Sequence, residues 1–241
     1  FSDYMKPAVR MSALMELPVK YIWTHDAFRV GEDGPTHEPI EQEAQIRLME
    51  QVKNFSGKPS MLVLRPADSA ETSVAWEMAM ENNDSPTALI LSRQDIKDLP
   101  AVTSDRYTEA QGVRNGGYVV LDSPYPQVVL FGNGSEVSLL CEVASALEEE
   151  GIASRVVSVP SIGLFEEQTQ EYKDSVLPVN VPRFGLTAGL PSTLQSLAGA
   201  KGKVYGMTRF GASAPYNVLD EKFGYTPENI KQEVLSFIGK K

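Results

Sequence analysis

The chain has 241 residues, 42% of them hydrophobic and 22% charged, a composition ordinary for a globular protein of one large or two modest domains. Its formal net charge of −10 argues against nucleic acid or an anionic membrane as the main partner, so an anionic ligand needs a local basic cluster. The single cysteine, Cys141, excludes an intrachain disulfide framework and suits a reducing, cytoplasmic setting, and no apolar run or signal pattern points to a membrane. The chain opens at Phe1 without an initiator methionine and runs almost at once into a helical pattern, so a piece of a longer polypeptide is expected.

In chain order, Ser2 to Glu16 carries Met5, Ala8, Met11, Leu14 and Met15 at roughly helical spacing, with Pro7 tolerable only near a first turn. Pro18 to Trp23 is a β-branched and aromatic run, which predicts a strand. Thr24 to Pro39 (THDAFRVGEDGPTHEP) holds both histidines, four acids and the special backbone residues Gly31, Gly34, Pro35 and Pro39. It reads as a loop that concentrates acid/base groups. Ile40, Ala44, Leu48 and Val52 then predict one apolar stripe on a helix. Met61–Leu64 predicts a strand, Ser69 the cap of a helix burying Val74, Ala75, Met78 and Ala79, and Thr87–Leu91 another strand.

Asp95 to Gly116 is polar and without periodicity, a linker by pattern. Beyond it, strands are expected at Gly117–Leu121, Val128–Phe131, Arg155–Val159, Arg183–Leu186 and Lys203–Met207. Helices are expected from about Ser135 to Glu150 and after the Thr226-Pro227 cap. Strands alternating with helices imply two α/β units with largely parallel sheets. We place them at residues 1–95 and 116–241, with 96–115 between.

In such sheets ligands bind beyond the carboxyl ends of the strands. The first three strands end in His25, Arg65 and Arg93, a cationic rim suited to a phosphorylated substrate. His25 and His37 with Asp26 and Asp33 match no zinc spacing, so a sugar-binding or proton-transfer loop is the better reading, beside an ordinary solvated one. Gly132-Asn133-Gly134-Ser135 lacks the third glycine of a dinucleotide loop and reads as a tight strand-to-helix connection. Cys141 lies on an apolar stripe, which makes it a buried structural cysteine rather than a nucleophile. Glu148–Glu150 reads as a solvated helix end. Phe1 and Tyr4, one helical turn apart, are either a core edge or a platform for an aromatic ring.

Several strings together carry a family resemblance. His25-Asp26, Gly31-Glu32-Asp33-Gly34-Pro35-Thr36-His37, Arg65-Pro66-Ala67-Asp68, Ser92-Arg93-Gln94, Gly134-Ser135-Glu136-Val137, Ser175-Val176-Leu177-Pro178 and Phe210-Gly211-Ala212-Ser213-Ala214-Pro215 resemble transketolase, in the right order across nearly the whole chain. The resemblance implies the second half of a pyrimidine-binding domain followed by a C-terminal domain. The full-length enzyme would be a cytoplasmic homodimer of the pentose phosphate pathway. It would use thiamine diphosphate and a divalent metal such as Mg²⁺ to move a two-carbon ketol unit between sugar phosphates.

By the same resemblance Phe1 and Tyr4 belong to the aromatic pocket of the aminopyrimidine ring. His25 and Arg93 would hold a phosphate end, Asp33 would accept from a sugar hydroxyl, and His37 would lie at the reacting carbons as the catalytic group. An imidazole can exchange protons near neutrality and an arginine fork can hold two phosphate oxygens, so the residue types suit these roles. No metal ligand is expected in this chain, and without the diphosphate-binding residues it should be inactive and bind no cofactor by itself.

Ala27-Phe28-Arg29 replaces the commoner Ser-Ile-Gly, placing Arg29 where it would alter the electrostatics of the pocket entrance. Glu38 stands where glutamine is usual, and Leu186-Thr187-Ala188-Gly189 departs from Val-Glu-Ala-Gly. Deoxyxylulose phosphate synthase is the nearest rival resemblance, disfavoured by His25 and Pro35. A non-catalytic sugar-phosphate-binding module, or a subunit of a split thiamine diphosphate enzyme, is the alternative from a different class.

Overall fold

The computed structural model describes residues 1–103 and 105–240; Ser104, within the expected linker, and Lys241 lie outside the described residues. Two α/β units follow one another, as the alternation predicts. In the first, β1 (Lys20–Trp23), β2 (Leu62–Leu64) and β3 (Thr87–Ile90) form a sheet in the order β1-β3-β2, with both pairings parallel. Helices α1 (Ser2–Leu14), α2 (Gln42–Gln51) and α3 (Ser69–Glu81) accompany it. A short α4 (Arg106–Ala110) and a 3₁₀ turn over Gln111–Asn115 lead into the second unit.

There β4 (Tyr118–Leu121), β5 (Val128–Gly132), β6 (Ser154–Ser158), β7 (Arg183–Leu186) and β8 (Lys203–Tyr205) run in the order β4-β6-β5-β7-β8. Only β4 is antiparallel to its neighbour. Around this sheet lie α5 (Glu136–Glu149), α6 (Ile162–Glu166), α7 (Gln170–Val176), α8 (Gln195–Ala198), α9 (Tyr216–Phe223) and α10 (Pro227–Phe237). Among the described residues no helix is long and apolar enough to cross a membrane.

One core runs through both units, from Phe28, Leu64, Val74 and Leu89 to Leu130, Leu140, Phe184 and Ile230. The units are also joined through backbone: Arg65 N–H donates to Pro160 O at 2.9 Å, and Gly134 N–H donates to Arg65 O at 3.1 Å. Cys141 is buried in this core, and burial pushes its thiol up to about 12, as a structural cysteine requires. Residues Glu148, Glu149 and Glu150 are exposed, and Glu150 pairs with Lys231.

Several helix readings need correction. The expected stripe is only partly core: Ile40, ahead of α2, is buried at 4%, whereas Leu48 and Val52 are 58% and 52% exposed, and Glu43, Arg47 and Glu50 are buried. Arg47 Nε donates to Glu43 on the same helix at 2.9 Å, and its Nη2 reaches Pro160 O of the second unit at 3.4 Å. On α1, Met5, Met11, Leu14 and Met15 are exposed, and Ser2, Val9, Ser12 and Ala13 face inward. The Ser12 hydroxyl donates to Val9 O and pairs with the Tyr21 hydroxyl, so the helix docks through small and polar residues. Pro7 lies inside α1 rather than in its first turn. The α3 cap is Asp68, whose carboxylate accepts from Glu71 N–H at 2.7 Å; Ser69 is the first helical residue.

Candidate active site at the loop after β1

Because β1, β2 and β3 are parallel neighbours, their carboxyl ends share one edge of the sheet. The loop from Thr24 to Pro39 leaves that edge and lies against the second unit. Phe28 anchors it: fully buried, it meets Phe223 at 5.2 Å and Tyr225 at 4.7 Å between ring centroids. Arg29 is the second anchor. Only 5% exposed, it donates to Asp220 at 2.6 Å and to Glu136 at 2.7 Å. Its charge is therefore committed between loop and C-terminal unit, and the expected effect on the pocket entrance is not what the fold makes of it. Burial opposes the guanidinium charge, but Glu136 and Asp220 raise it above its ordinary value.

Arg65 likewise leaves the expected cationic rim. It is completely buried, donating through Nη2 to Asp26 at 2.7 Å and through Nη1 to the Asn133 side chain at 2.7 Å and to Glu136 at 2.5 Å. Burial works against the Glu136 charge, yet Arg65 and Arg29 together hold its carboxyl below the usual range. Asn133 also donates to Glu43 at 3.3 Å, and a β-carbon on Gly134 would lie 2.6 Å from Arg65 Cζ. The Gly132–Ser135 turn thus serves as a tight connection whose glycine makes room for the buried arginine. With Arg65 withdrawn, the exposed basic side chains at the three strand ends are His25 and Arg93.

The candidate residues largely converge. Phe1, His25, Asp33 and His37 line one cavity of about 470 Å³, together with Trp23, Thr24 and Val30. Phe1, Tyr4 and His37 line an adjoining one of about 650 Å³. Phe1 and Tyr4 are 81% and 87% exposed, so they are not a core edge. Their ring centroids are 6.3 Å apart, and the His37 ring stands edge-on to Phe1 at 6.3 Å. Arg93 lines neither cavity; it is exposed beyond β3, on the strand beside β1, where Leu91 N–H donates to Trp23 O at 2.7 Å.

Each histidine follows a threonine, and the pair repeats one contact: Thr24 Oγ1 lies 2.9 Å from His25 Nδ1, and Thr36 Oγ1 lies 3.0 Å from His37 Nδ1. Holding Nδ1 fixes each ring and leaves Nε2 for a ligand. The repeat is local in sequence, Thr24-His25 and Thr36-His37. Phe210, from the second unit, also lines the larger cavity and was missed as a site residue; its only signal was the Phe210–Pro215 string.

Whether the implied cofactor suits these residues divides in two. The exposed ring faces of Phe1 and Tyr4 suit an aromatic ring. Among the described residues, no group of three or more His, Cys, Asp or Glu is placed to hold a metal ion, so the diphosphate–metal end finds no such ligand set.

A parallel-sheet unit with a histidine- and carboxylate-bearing strand-end loop, closed against a second α/β unit, places the chain among two-unit α/β proteins with a strand-end cleft. Residues 1–98 match the family model described as transketolase, pyrimidine binding domain, and residues 116–226 match that of the transketolase-like C-terminal domain. The chain is 45% identical over 238 residues to the transketolase of Staphylococcus epidermidis, covering 98% of this chain and 34% of that one. Transketolase from Leishmania mexicana superposes with a TM-score of 0.87 at 39% identity, covering 99% of this chain and 33% of the other. A Pichia stipitis transketolase solved in complex with sedoheptulose 7-phosphate gives 0.82 at 34% identity, covering 99% and 33%. The chain belongs to the transketolase family. It spans about a third of the length of the relatives it matches.

Proposed function

We propose that this chain supplies the substrate-facing half-site of a transketolase, a transferase that passes a two-carbon ketol unit from a ketose phosphate to an aldose phosphate. The observation that carries the reading is the gathering of Phe1, His25, Asp33 and His37 around one cavity at the carboxyl edge of a parallel sheet. Thiamine diphosphate with a divalent metal such as Mg²⁺, when bound by the longer protein, would supply an electron sink for two-carbon transfer.

This chain's own residues bind and orient. Phe1 and Tyr4 offer ring faces to the aminopyrimidine. His25 and Arg93 neutralise the phosphate end of the sugar, Arg93 through its two-pronged fork. Asp33 accepts from a sugar hydroxyl, and His37, its ring fixed by Thr36, exchanges a proton at Nε2 with hydroxyls near the reacting carbons. Residues 1–95 and 116–241 act as the two domains, with 96–115 linking them. The assembled enzyme works as a cytoplasmic homodimer in the pentose phosphate pathway.

The direct test is Arg93→Ala in the assembled enzyme. It should raise KM for phosphorylated sugars at least ten-fold more than for unphosphorylated ones, roughly the 1.4 kcal/mol of one charge-assisted contact. Equal effects on both substrate classes would remove the phosphate role. Calorimetric titration of the 241-residue chain with thiamine diphosphate should show weak or no binding; micromolar affinity would contradict the half-site reading.

A further inference from the structure

The larger cavity has a wall from the second unit. Phe210 is 69% exposed and faces it alongside Phe1, Tyr4 and His37. It belongs to the segment between β8 and α9, which is fastened to the loop. The Ser213 hydroxyl donates to Glu32 O at 2.7 Å, and Ala214 N–H donates to Gly31 O at 3.3 Å.

Between these two stretches lies Glu38. It is 4% exposed, and neither carboxyl oxygen has a hydrogen-bond partner. Gly211 packs directly on it: a β-carbon there would sit 1.7 Å from Glu38 Oε2. The charged and titratable groups around Glu38 offer it little. Asp33 and His37 share its loop, Asp3 of α1 and Glu41 at the start of α2 line the same cavity, and residues 210–214 carry no charged side chain. The guanidinium of Arg209 is placed over the Phe223 ring instead, 5.6 Å from its centroid. Among the described residues no lysine or arginine pairs with Glu38. A buried carboxylate at the cavity wall, with the Ala212 amide as its one nearby donor and an acid for a neighbour, is disfavoured, whereas a neutral carboxyl or amide fits the same space.

We propose that Glu38 is a positioning residue: as the neutral acid it seats the Phe210–Ala214 segment on the site loop, and on ionising it lifts that segment and draws Phe210 away from the cavity. Burial is the main influence holding the proton on Glu38, which it pushes up to about 7; the Ala212 amide opposes this and Asp33 adds to it. The seat therefore changes state near neutral pH. The consequence for a ligand in the cavity rests on the proposed function, but the seating itself concerns only this chain.

The experiment is hydrogen exchange by mass spectrometry on the whole chain without ligand, comparing wild type with Glu38→Gln between pH 5.5 and 8 after correction for intrinsic rates. In wild type the protection of residues 208–214 should fall about ten-fold by pH 8, the factor for a group one unit above its midpoint. Glu38→Gln, an uncharged isostere, should hold that protection across the range while other segments behave alike. The same fall in both proteins would overturn the proposal. If the variant fails to fold, the ¹³C carboxyl titration of Glu38 in wild type decides. A midpoint near 7 supports the seat, and one near 4.5 overturns it. Since no ligand is added, either failure leaves the proposed function standing, and failure of the Arg93 test leaves the seat untouched.

Discussion

Arg65 shows how far one side chain's role depends on where the chain returns. Its partners Asp26 and Glu136 lie 39 and 71 residues away in sequence. Arg65→Ala would leave Asp26 buried without its cation and take one of two from Glu136 and Glu43, which keep Arg29 and Arg47. We expect a loss of about 3–5 kcal/mol in denaturant unfolding, because breaking a buried ion pair strands its partner. A loss below about 1 kcal/mol would instead mark Arg65 as an exposed, dispensable cation. Glu38 gives a second measurement. Its folded-state value of about 7 exceeds the ordinary 4.5, so between those values the folded chain holds a proton that the unfolded chain has released. Its contribution is therefore fully present below pH 4.5 and is lost as pH rises through 7, by at most about 3 kcal/mol. Glu50, Glu71 and Asp220 are also raised, chiefly by burial, and slope the same way. The informative quantity is thus the difference between wild type and Glu38→Gln, which should appear only in that window.

At the scale of single elements, α2 separates two readings of one sequence. The apolar stripe suggests that Leu48 and Val52 are core, whereas the fold exposes them and buries Glu43, Arg47 and Glu50. Leu48→Gln should then change stability by less than about 0.5 kcal/mol. A cost of 2–5 kcal/mol, typical of a truncated core leucine, would restore the stripe. The contrast also marks what was legible. Strands β1 to β8 stood out because β-branched and aromatic runs bounded by Gly, Pro and Asp need no knowledge of their neighbours. The α10 cap was equally local, with Thr226 accepting from Asn229 N–H at 3.3 Å and Pro227 in the first turn. The inward face of α2 was not local, since its charges are acceptable inside only because Pro160, Asn133 and Ser161 arrive from the second unit. The same limit governed the site. His25, Asp33 and His37 share a loop rich in signals, but Phe210 reaches the cavity from the other unit.

For the whole molecule, the question is whether the two units behave as one body. Their junction is a continuous core crossed by buried charge pairs from Arg29 and Arg65, unlike the polar, hydrated contacts over which domains usually move. Glu136 is central, accepting from Arg65 and Arg29 at once while fully buried. Unfolding either unit alone would strand these charges against the face of the other, so partial unfolding is disfavoured. Calorimetry should therefore give a single transition with matching calorimetric and van't Hoff enthalpies. Glu136→Ala leaves two buried guanidinium groups short of a counter-charge at the junction itself. That variant should melt earlier and split into two transitions, with the first unit, whose sheet has three strands, melting ahead of the five-stranded second. An earlier melt that stays single would show that the shared core couples the units without the charges. Two transitions already in the wild type would show that the junction does not couple them at all.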